Sequence, residues 1–121
     1  MNRNTWIILA LAVAAFLVYK RLTLVRPDTA REWLKQGAKV IDVRSEGEFR
    51  GGHLPRAINI PLGQLSAEIG RLAPDKDQPL LLHCRSGTRS GMGKRTLQKL
   101  GYRHVFNLGS YGRAKQILGS E

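Results

Sequence analysis

Cys84 is the only cysteine among 121 residues, and it is where a search for chemistry in this chain begins. A lone cysteine rules out a disulfide within the chain and leaves a cysteine-based zinc site without ligands. By default such a residue is a small buried hydrophobe. Its neighbours argue for more. Pro79-Leu80-Leu81-Leu82-His83-Cys84 is a short continuous apolar run, the pattern of a central parallel strand. Cys84 stands at its carboxyl end, where open parallel sheets gather their chemistry. The loop Arg85-Ser86-Gly87-Thr88-Arg89-Ser90 follows and leads into a basic helix from about Ser90 to Leu100. A loop of this kind turns backbone N–H groups inward, and the helix start adds partial positive charge. Both attract an anion, and both lower the pKa of a thiol placed there. Arg85 and Arg89 add full charges, and Gly87 relieves the tight turn. The expectation is a thiolate nucleophile in an anion-binding cradle.

The elements that must hold this cradle follow from periodicity and turn residues. Leu22 to Val25 reads as a short edge strand. Pro27-Asp28-Thr29 opens a helix in which Thr29 and Glu32 have capping-box spacing, with Ala30, Trp33 and Leu34 as its apolar stripe and Gly37 as its stop. Lys39 to Arg44 is a buried strand, and a helical turn lies around Glu46 to Phe49. Ala57 to Ile60 is a second strand, and Leu62 to Leu72 has helical spacing. After the central strand and basic helix, Gly101 ends the helix, Val105 to Leu108 forms the last strand and Tyr111 to Leu118 a final helix. Strands alternating with helices at this spacing predict an α/β fold, a mostly parallel sheet covered by helices on both faces.

Two blocks of sequence carry a family resemblance. Cys84-Arg85-Ser86-Gly87-Thr88-Arg89-Ser90 resembles the active-site loop of the rhodanese family. Ile41-Asp42-Val43-Arg44, then Glu48-Phe49 and Gly52-His53-Leu54-Pro55-Arg56-Ala57-Ile58-Asn59-Ile60-Pro61, resembles that family's other signature. The likeness spans about residues 25 to 110. It implies a sulfurtransferase in which the Cys84 thiolate takes the outer sulfur of a donor such as thiosulfate, holds it as a persulfide and passes it to cyanide or a thiol, with ping-pong kinetics. It further implies that Arg85 and Arg89 bind the anionic donor or steady the loop, that Ser86, Gly87 and Thr88 complete the cradle, and that Asp42 and Arg44 support it from beneath. One departure stands out: the tail reads Asn107-Leu108-Gly109-Ser110-Tyr111-Gly112, where Gly-Gly followed by Trp is more usual in the family.

The rival chemistry is a cysteine-dependent phosphatase, whose loops also begin His-Cys and close Arg-Ser. Those loops place five residues between Cys and Arg, whereas four separate Cys84 from Arg89. The smaller cradle suits a sulfane sulfur better than a tetrahedral phosphate. A second rival keeps the fold without turnover, as a membrane-docked sulfur carrier or interaction module. Gly91-Met92-Gly93-Lys94-Arg95-Thr96 fails as a nucleotide loop, because Thr88 holds the first-glycine position and Arg95 the Ser/Thr position. His53 reads as a residue that fixes its loop through a hydrogen bond, His83 as a packing residue near the cradle and His104 as surface. The three lack metal-ligand spacing, so neither a metal nor a cofactor is expected.

A net charge of +11 favours anionic partners, but no nucleic-acid-binding pattern accompanies it. Membrane surface and a small anionic substrate are the better readings. Trp6 to Tyr19 is an unbroken apolar run without charge, Gly or Pro, flanked by interfacial Trp6 and Tyr19 and by Lys20 and Arg21. Its fourteen residues cover about 21 Å as helix, extended by Asn4 and Thr5 and by snorkelling cations toward the roughly 30 Å of a bilayer core. Residues 1–21 therefore read as a single-pass anchor, with membrane contact through 5–21, and residues 22–121 as the rhodanese-like domain. A signal peptide is the alternative, but its cleavage candidate, Ala12-Val13-Ala14, lies inside the run. Cations are heavier after the run than before it, which places the domain on the cytoplasmic side, a compartment that suits an unpaired cysteine.

Overall fold

The computed structural model describes residues 2–119. Its centre is a four-stranded, wholly parallel sheet in the order β2-β1-β3-β4, with β1 at Lys39–Asp42, β2 at Ala57–Asn59, β3 at Leu80–Cys84 and β4 at Val105–Ser110. The chain steps from β1 outward to β2, then returns to lay β3 on the other side of β1. The order therefore reverses between β1 and β3. A crevice at the carboxyl ends of two such strands is where this architecture binds ligands, and Asp42 and Cys84 end those strands.

Helices cover both faces. Against one pack a 3-10 turn at Leu62–Gln64, α4 at Leu65–Leu72 and α5 at Thr88–Lys99, burying Ile41, Leu80, Leu82, Leu65, Ile69 and Leu97. Against the other pack α2 at Pro27–Lys35 and α6 at Tyr111–Leu118, burying Val40, Leu81, Leu108, Ala30 and Ile117. Leu80, Leu81 and Leu82 alternate between these cores, which is why β3 reads as a continuous apolar run instead of an alternating one. A short α3 at Glu46–Arg50 connects β1 to β2.

The glycines of α5 set its distance from the sheet. A methyl group on Gly93 would stand 2.9 Å from Leu82 Cδ2 and 3.1 Å from Leu65 Cδ2, and both leucines are fully buried. Overpacking of this kind costs about 1–3 kcal/mol, offset by about 1 kcal/mol of helix propensity. Gly93→Ala is expected to lose up to about 2 kcal/mol net, read as a lower denaturant midpoint. An unchanged or higher midpoint would show that the leucines yield.

Three sequence expectations are corrected. Residues Leu22 to Val25 form no strand: Leu22 ends the helix α1 (Arg3–Leu22), and the segment's tie to the sheet is one bond from Val25 N–H to the Asn107 carbonyl. Thr29 and Glu32 make no capping box. Pro27, its φ already suited to a helix, starts α2 three residues earlier than such a box would, with Arg26 as an N-cap lacking a side-chain bond. The box is instead at Ser45 and Glu48, where the Ser45 hydroxyl accepts the Glu48 N–H and the Glu48 carboxylate accepts the Ser45 N–H. Third, Leu62 to Leu72 is a 3-10 turn followed by a shorter α-helix, not one continuous helix.

At the other end of the chain α1 runs for 20 residues, about 30 Å of helix, and none of it is buried. It is long and apolar enough to cross a membrane.

Candidate active site

The Cys84 side chain has no exposed surface and lies beneath the loop that follows it. Gly87 N–H donates to Sγ at 3.0 Å and Ser90 N–H at 3.4 Å. Gly87 reaches this position with φ +93, a conformation glycine adopts without strain, and a Cβ there would stand 3.2 Å from Gly109 Cα. The loop is thus pressed against the end of β4, and Ser86 bridges to Ser110. Gly87 also serves as the N-cap of α5, so the helix begins directly behind the sulfur.

Burial pushes the Cys84 thiol up, but hydrogen bonds from Ser90, Ser86 and Gly87 outweigh it and the pKa falls below the ordinary thiol value. The donors differ in kind. The N–H groups of Gly87 and Ser90 are fixed by the backbone. The Ser90 hydroxyl has a single proton and three acceptors within reach: Asn107 Oδ1 at 2.7 Å, Gly87 O at 3.2 Å and Sγ at 3.4 Å. Asn107 also donates from Nδ2 to Gly87 O and accepts the Gly109 N–H on Oδ1, so Ser90 and the loop share one buried anchor on β4. An ionised sulfur draws the proton to itself, while Gly109 keeps Oδ1 satisfied. Ser90→Ala is accordingly expected to move the pH midpoint of Cys84 alkylation upward and to slow alkylation at pH 7 by about tenfold. A midpoint equal to wild type would reduce Ser90 to packing.

Beneath the loop, Asp42 and Arg44 form a buried ion pair. Both Asp42 oxygens accept from Arg44, Oδ1 from the backbone N–H at 2.9 Å and Oδ2 from Nη2 at 2.7 Å. Arg44 Nη2 also donates to the Gly52 carbonyl at 2.8 Å, and its guanidinium lies over the Tyr111 ring at 4.8 Å. The hydrogen bonds to Asp42 hold the Arg44 pKa above its ordinary value. His83, fully buried, faces the same carboxylate at 3.7 Å and its Nε2 has no hydrogen-bond partner. Burial lowers the His83 pKa despite Asp42, which keeps the ring neutral.

Arg89 does not point into the cradle. Its guanidinium grips Glu48 with two bonds of 2.6 and 2.9 Å. Those bonds drive the Glu48 pKa far below the usual carboxylate range and raise that of Arg89. Because Glu48 also caps α3, this pair clamps the loop to the segment after β1. His53 donates from Nδ1–H to the Phe49 carbonyl at 2.8 Å and stacks on the Phe49 ring, fixing its own loop at an exposed position. Arg85, Ser86 and Thr88 are exposed on the loop's outer side. An open cavity of about 440 Å³ lies alongside, lined by Arg44, Glu48, Arg85 and Tyr111 with the glycines of the α3 region.

Sequence reasoning thus brought together Cys84, Gly87, Asp42 and Arg44, but it missed Glu48, Ser90 and Asn107 as site residues. Glu48 and Ser90 lay inside the quoted motifs without a role. Asn107 was visible only as the first residue of the atypical tail.

The site is thus a buried thiol cradled by main-chain donors at the switch point of a parallel α/β sheet. Residues 26–112 match the Rhodanese-like domain, and the chain belongs to that family. Among its relatives, YqhL of Bacillus subtilis, an uncharacterized protein, is 35% identical over 84% of this chain and 85% of its own length. The thiosulfate sulfurtransferase PspE of Escherichia coli is 39% identical over 57% of this chain and 66% of its own. Of solved structures, the human single-domain sulfurtransferase TSTD1 superposes with a TM-score of 0.65 at 28% identity, covering 78% of this chain and 96% of that one. A rhodanese from E. coli, solved with anions, gives 0.62 at 35% identity over 64% and 91% of the two chains.

Proposed function

We propose that this chain is a membrane-anchored sulfurtransferase that moves a sulfane sulfur from a small anionic donor such as thiosulfate to cyanide or a thiol through a Cys84 persulfide. The observation that carries the reading is the pair of fixed N–H donors on Sγ, from Gly87 and Ser90, in a loop that places four residues between Cys84 and Arg89. Family membership and the sulfurtransferase relatives support it. The Cys84 thiolate attacks the outer sulfur of thiosulfate, a new S–S bond forms, and the old one breaks with its electron pair leaving on sulfite. The acceptor then attacks the outer sulfur of the persulfide, and the pair in that bond returns to Cys84 as thiolate. No outside oxidant is needed.

In this reading Arg85, on the wall of the cavity beside the loop, meets the donor's sulfonate end, while the Arg44 charge is matched by Asp42. The thiol has no exposed surface, so the donor reaches it only when the loop shifts. Arg89 and Glu48 hold the loop's frame, Thr88 starts the helix behind the sulfur, and Asp42 supports Arg44. His53 is a loop residue and not a catalyst. Steady-state thiocyanate formation from thiosulfate and cyanide, with parallel double-reciprocal lines, tests the proposal. Absence of thiocyanate together with vanadate-sensitive hydrolysis of an aryl phosphate would replace it with the phosphatase reading.

A carrier that is loaded and unloaded by partner proteins is the second reading, favoured by the buried thiol and by the B. subtilis relative named a putative sulfur carrier, 31% identical over 68% of this chain and 46% of its own length. Persulfide formation without turnover would select it. Residues 1–21 act as the single-pass anchor and 22–121 as the domain, placed in the cytoplasm by Lys20, Arg21 and Arg26 after the span against Arg3 before it. Full-length protein recovered in the soluble fraction without detergent would refute the anchor.

A further inference from the structure

The end of α1 reaches the loop after β3: Lys20 Nζ lies 3.4 Å from Thr88 Oγ1. Between α1 and α5 this leaves a cleft of about 380 Å³ with two unlike walls. The α1 wall is largely apolar, with Phe16 and Tyr19. The α5 wall carries Lys94 and Arg95, and Lys20 closes the end. Among the described residues neither Lys94 nor Arg95 is in an ion pair or a side-chain hydrogen bond, and α5 contains no acidic residue. Arg89, the other cation near the helix start, is already held by Glu48.

The depth of the cleft is set by its neighbours on α1. Phe16 and Tyr19 belong to the last turn of the apolar run, about 5 Å from the point where Lys20 and Arg21 begin. If the run lies in hydrocarbon, Lys94 and Arg95 stand at the level of the phosphates. An occupant must then be anionic at one end and apolar at the other. We propose that this cleft binds the headgroup of an anionic phospholipid, its phosphate between Lys20, Lys94 and Arg95 and an acyl chain along Phe16. This rests on the anchor reading above and adds a ligand to it. The cleft's inner wall is Gly87, Thr88 and Asn107, the back of the cradle, so the bound lipid sits directly behind the loop.

Full-length protein in nonionic detergent, given equal amounts of phosphatidylglycerol and phosphatidylcholine with matched acyl chains, tests this by native mass spectrometry. Wild type is expected to retain phosphatidylglycerol about tenfold over phosphatidylcholine. Lys94→Gln with Arg95→Gln removes the preference, whereas Lys35→Gln with Lys115→Gln, the same charge change on α2 and α6, keeps it. Equal loss in both double variants would overturn the site in favour of diffuse charge. Glycerol 1-phosphate competing as well as the lipid would overturn it in favour of a free-anion site. Flotation with phosphatidylcholine vesicles separates the two layers of the argument. Protein that floats but shows no lipid preference removes this proposal alone; protein that fails to float removes the anchor and the proposal together.

Discussion

Wild-type protein incubated with thiosulfate is expected to gain the mass of one sulfur atom and to lose it on adding cyanide, and Cys84→Ser is expected to do neither. Turnover in the variant falls by on the order of 10⁴-fold or more, because a serine hydroxyl at neutral pH offers almost no alkoxide and no general base stands beside it. His83 is the nearest imidazole in sequence, yet its ring faces Asp42 and the nearest group to Nδ1 is the Cys84 carbonyl at 3.5 Å. In the proposed mechanism the thiolate therefore forms without a general base, the loop donors lowering the Cys84 pKa. Its donors are mostly main-chain N–H groups and remain in place in the variant, so Cys84→Ser should fold normally and keep its unfolding midpoint. A sulfur adduct on the serine variant, or residual turnover within a factor of a few of wild type, would refute Cys84 as the sulfur's carrier.

The largest stability effect is expected at Asp42. Asp42→Ala leaves the Arg44 guanidinium without its carboxylate in a place where both side chains are almost wholly covered, 9% and 0% exposed. Breaking a buried pair from one side costs about 3–5 kcal/mol, since the remaining charge stays desolvated. A domain of this size has roughly 5–15 kcal/mol in all. The loss also reaches beyond the pair. Arg44 holds the Gly52 carbonyl and lies over Tyr111, and the Asp42 and Arg44 carbonyls both accept from Asn59, so strand β2 is tied to the same point. Urea unfolding in detergent, followed by circular dichroism, should show the midpoint drop with Asp42→Ala and a smaller drop with Asp42→Asn, which keeps the shape and one acceptor oxygen. A loss below about 1 kcal/mol for Asp42→Ala would mean that Arg44 escapes to water and that the pair is not structural.

The parts of this site that could be read from sequence share one property: they are local. β3 is an apolar run with Cys84 at its end, and Gly87 marks a turn three residues on, so strand, cradle and helix start lie within ten residues. The parts that could not be read join distant segments. Glu48 meets Arg89 across 41 positions, and Ser90 meets Asn107 across 17. Nothing in the spacing of either pair distinguishes them from surface polar residues. Local rules also misled where two competed. Thr29-x-x-Glu32 and Ser45-x-x-Glu48 have the same capping spacing, but Pro27 pre-empts the first, while the second falls after a strand that has ended. The expected strand at Leu22 to Val25 failed because helix α1 continued through Leu22, leaving too few residues to pair with β4 beyond a single bond.

The contacts that restrain the Cys84 sulfur come from the backbone of Gly87 and Ser90 and from a serine hydroxyl turned away from solvent. Arg85, Ser86 and Thr88, the loop residues that look outward, contribute no side-chain bond to it among the described contacts. In the proposed reading, reactivity and selectivity are thereby written in separate alphabets, one in main-chain N–H groups that substitutions short of proline at these three positions leave in place, the other in side chains. On that reading, drift at positions 85, 86 and 88 changes the preferred donor or acceptor while the cradle around the sulfur stays. A library randomised at those three positions should hold many members that still form the persulfide while differing widely in which thiol they hand it to.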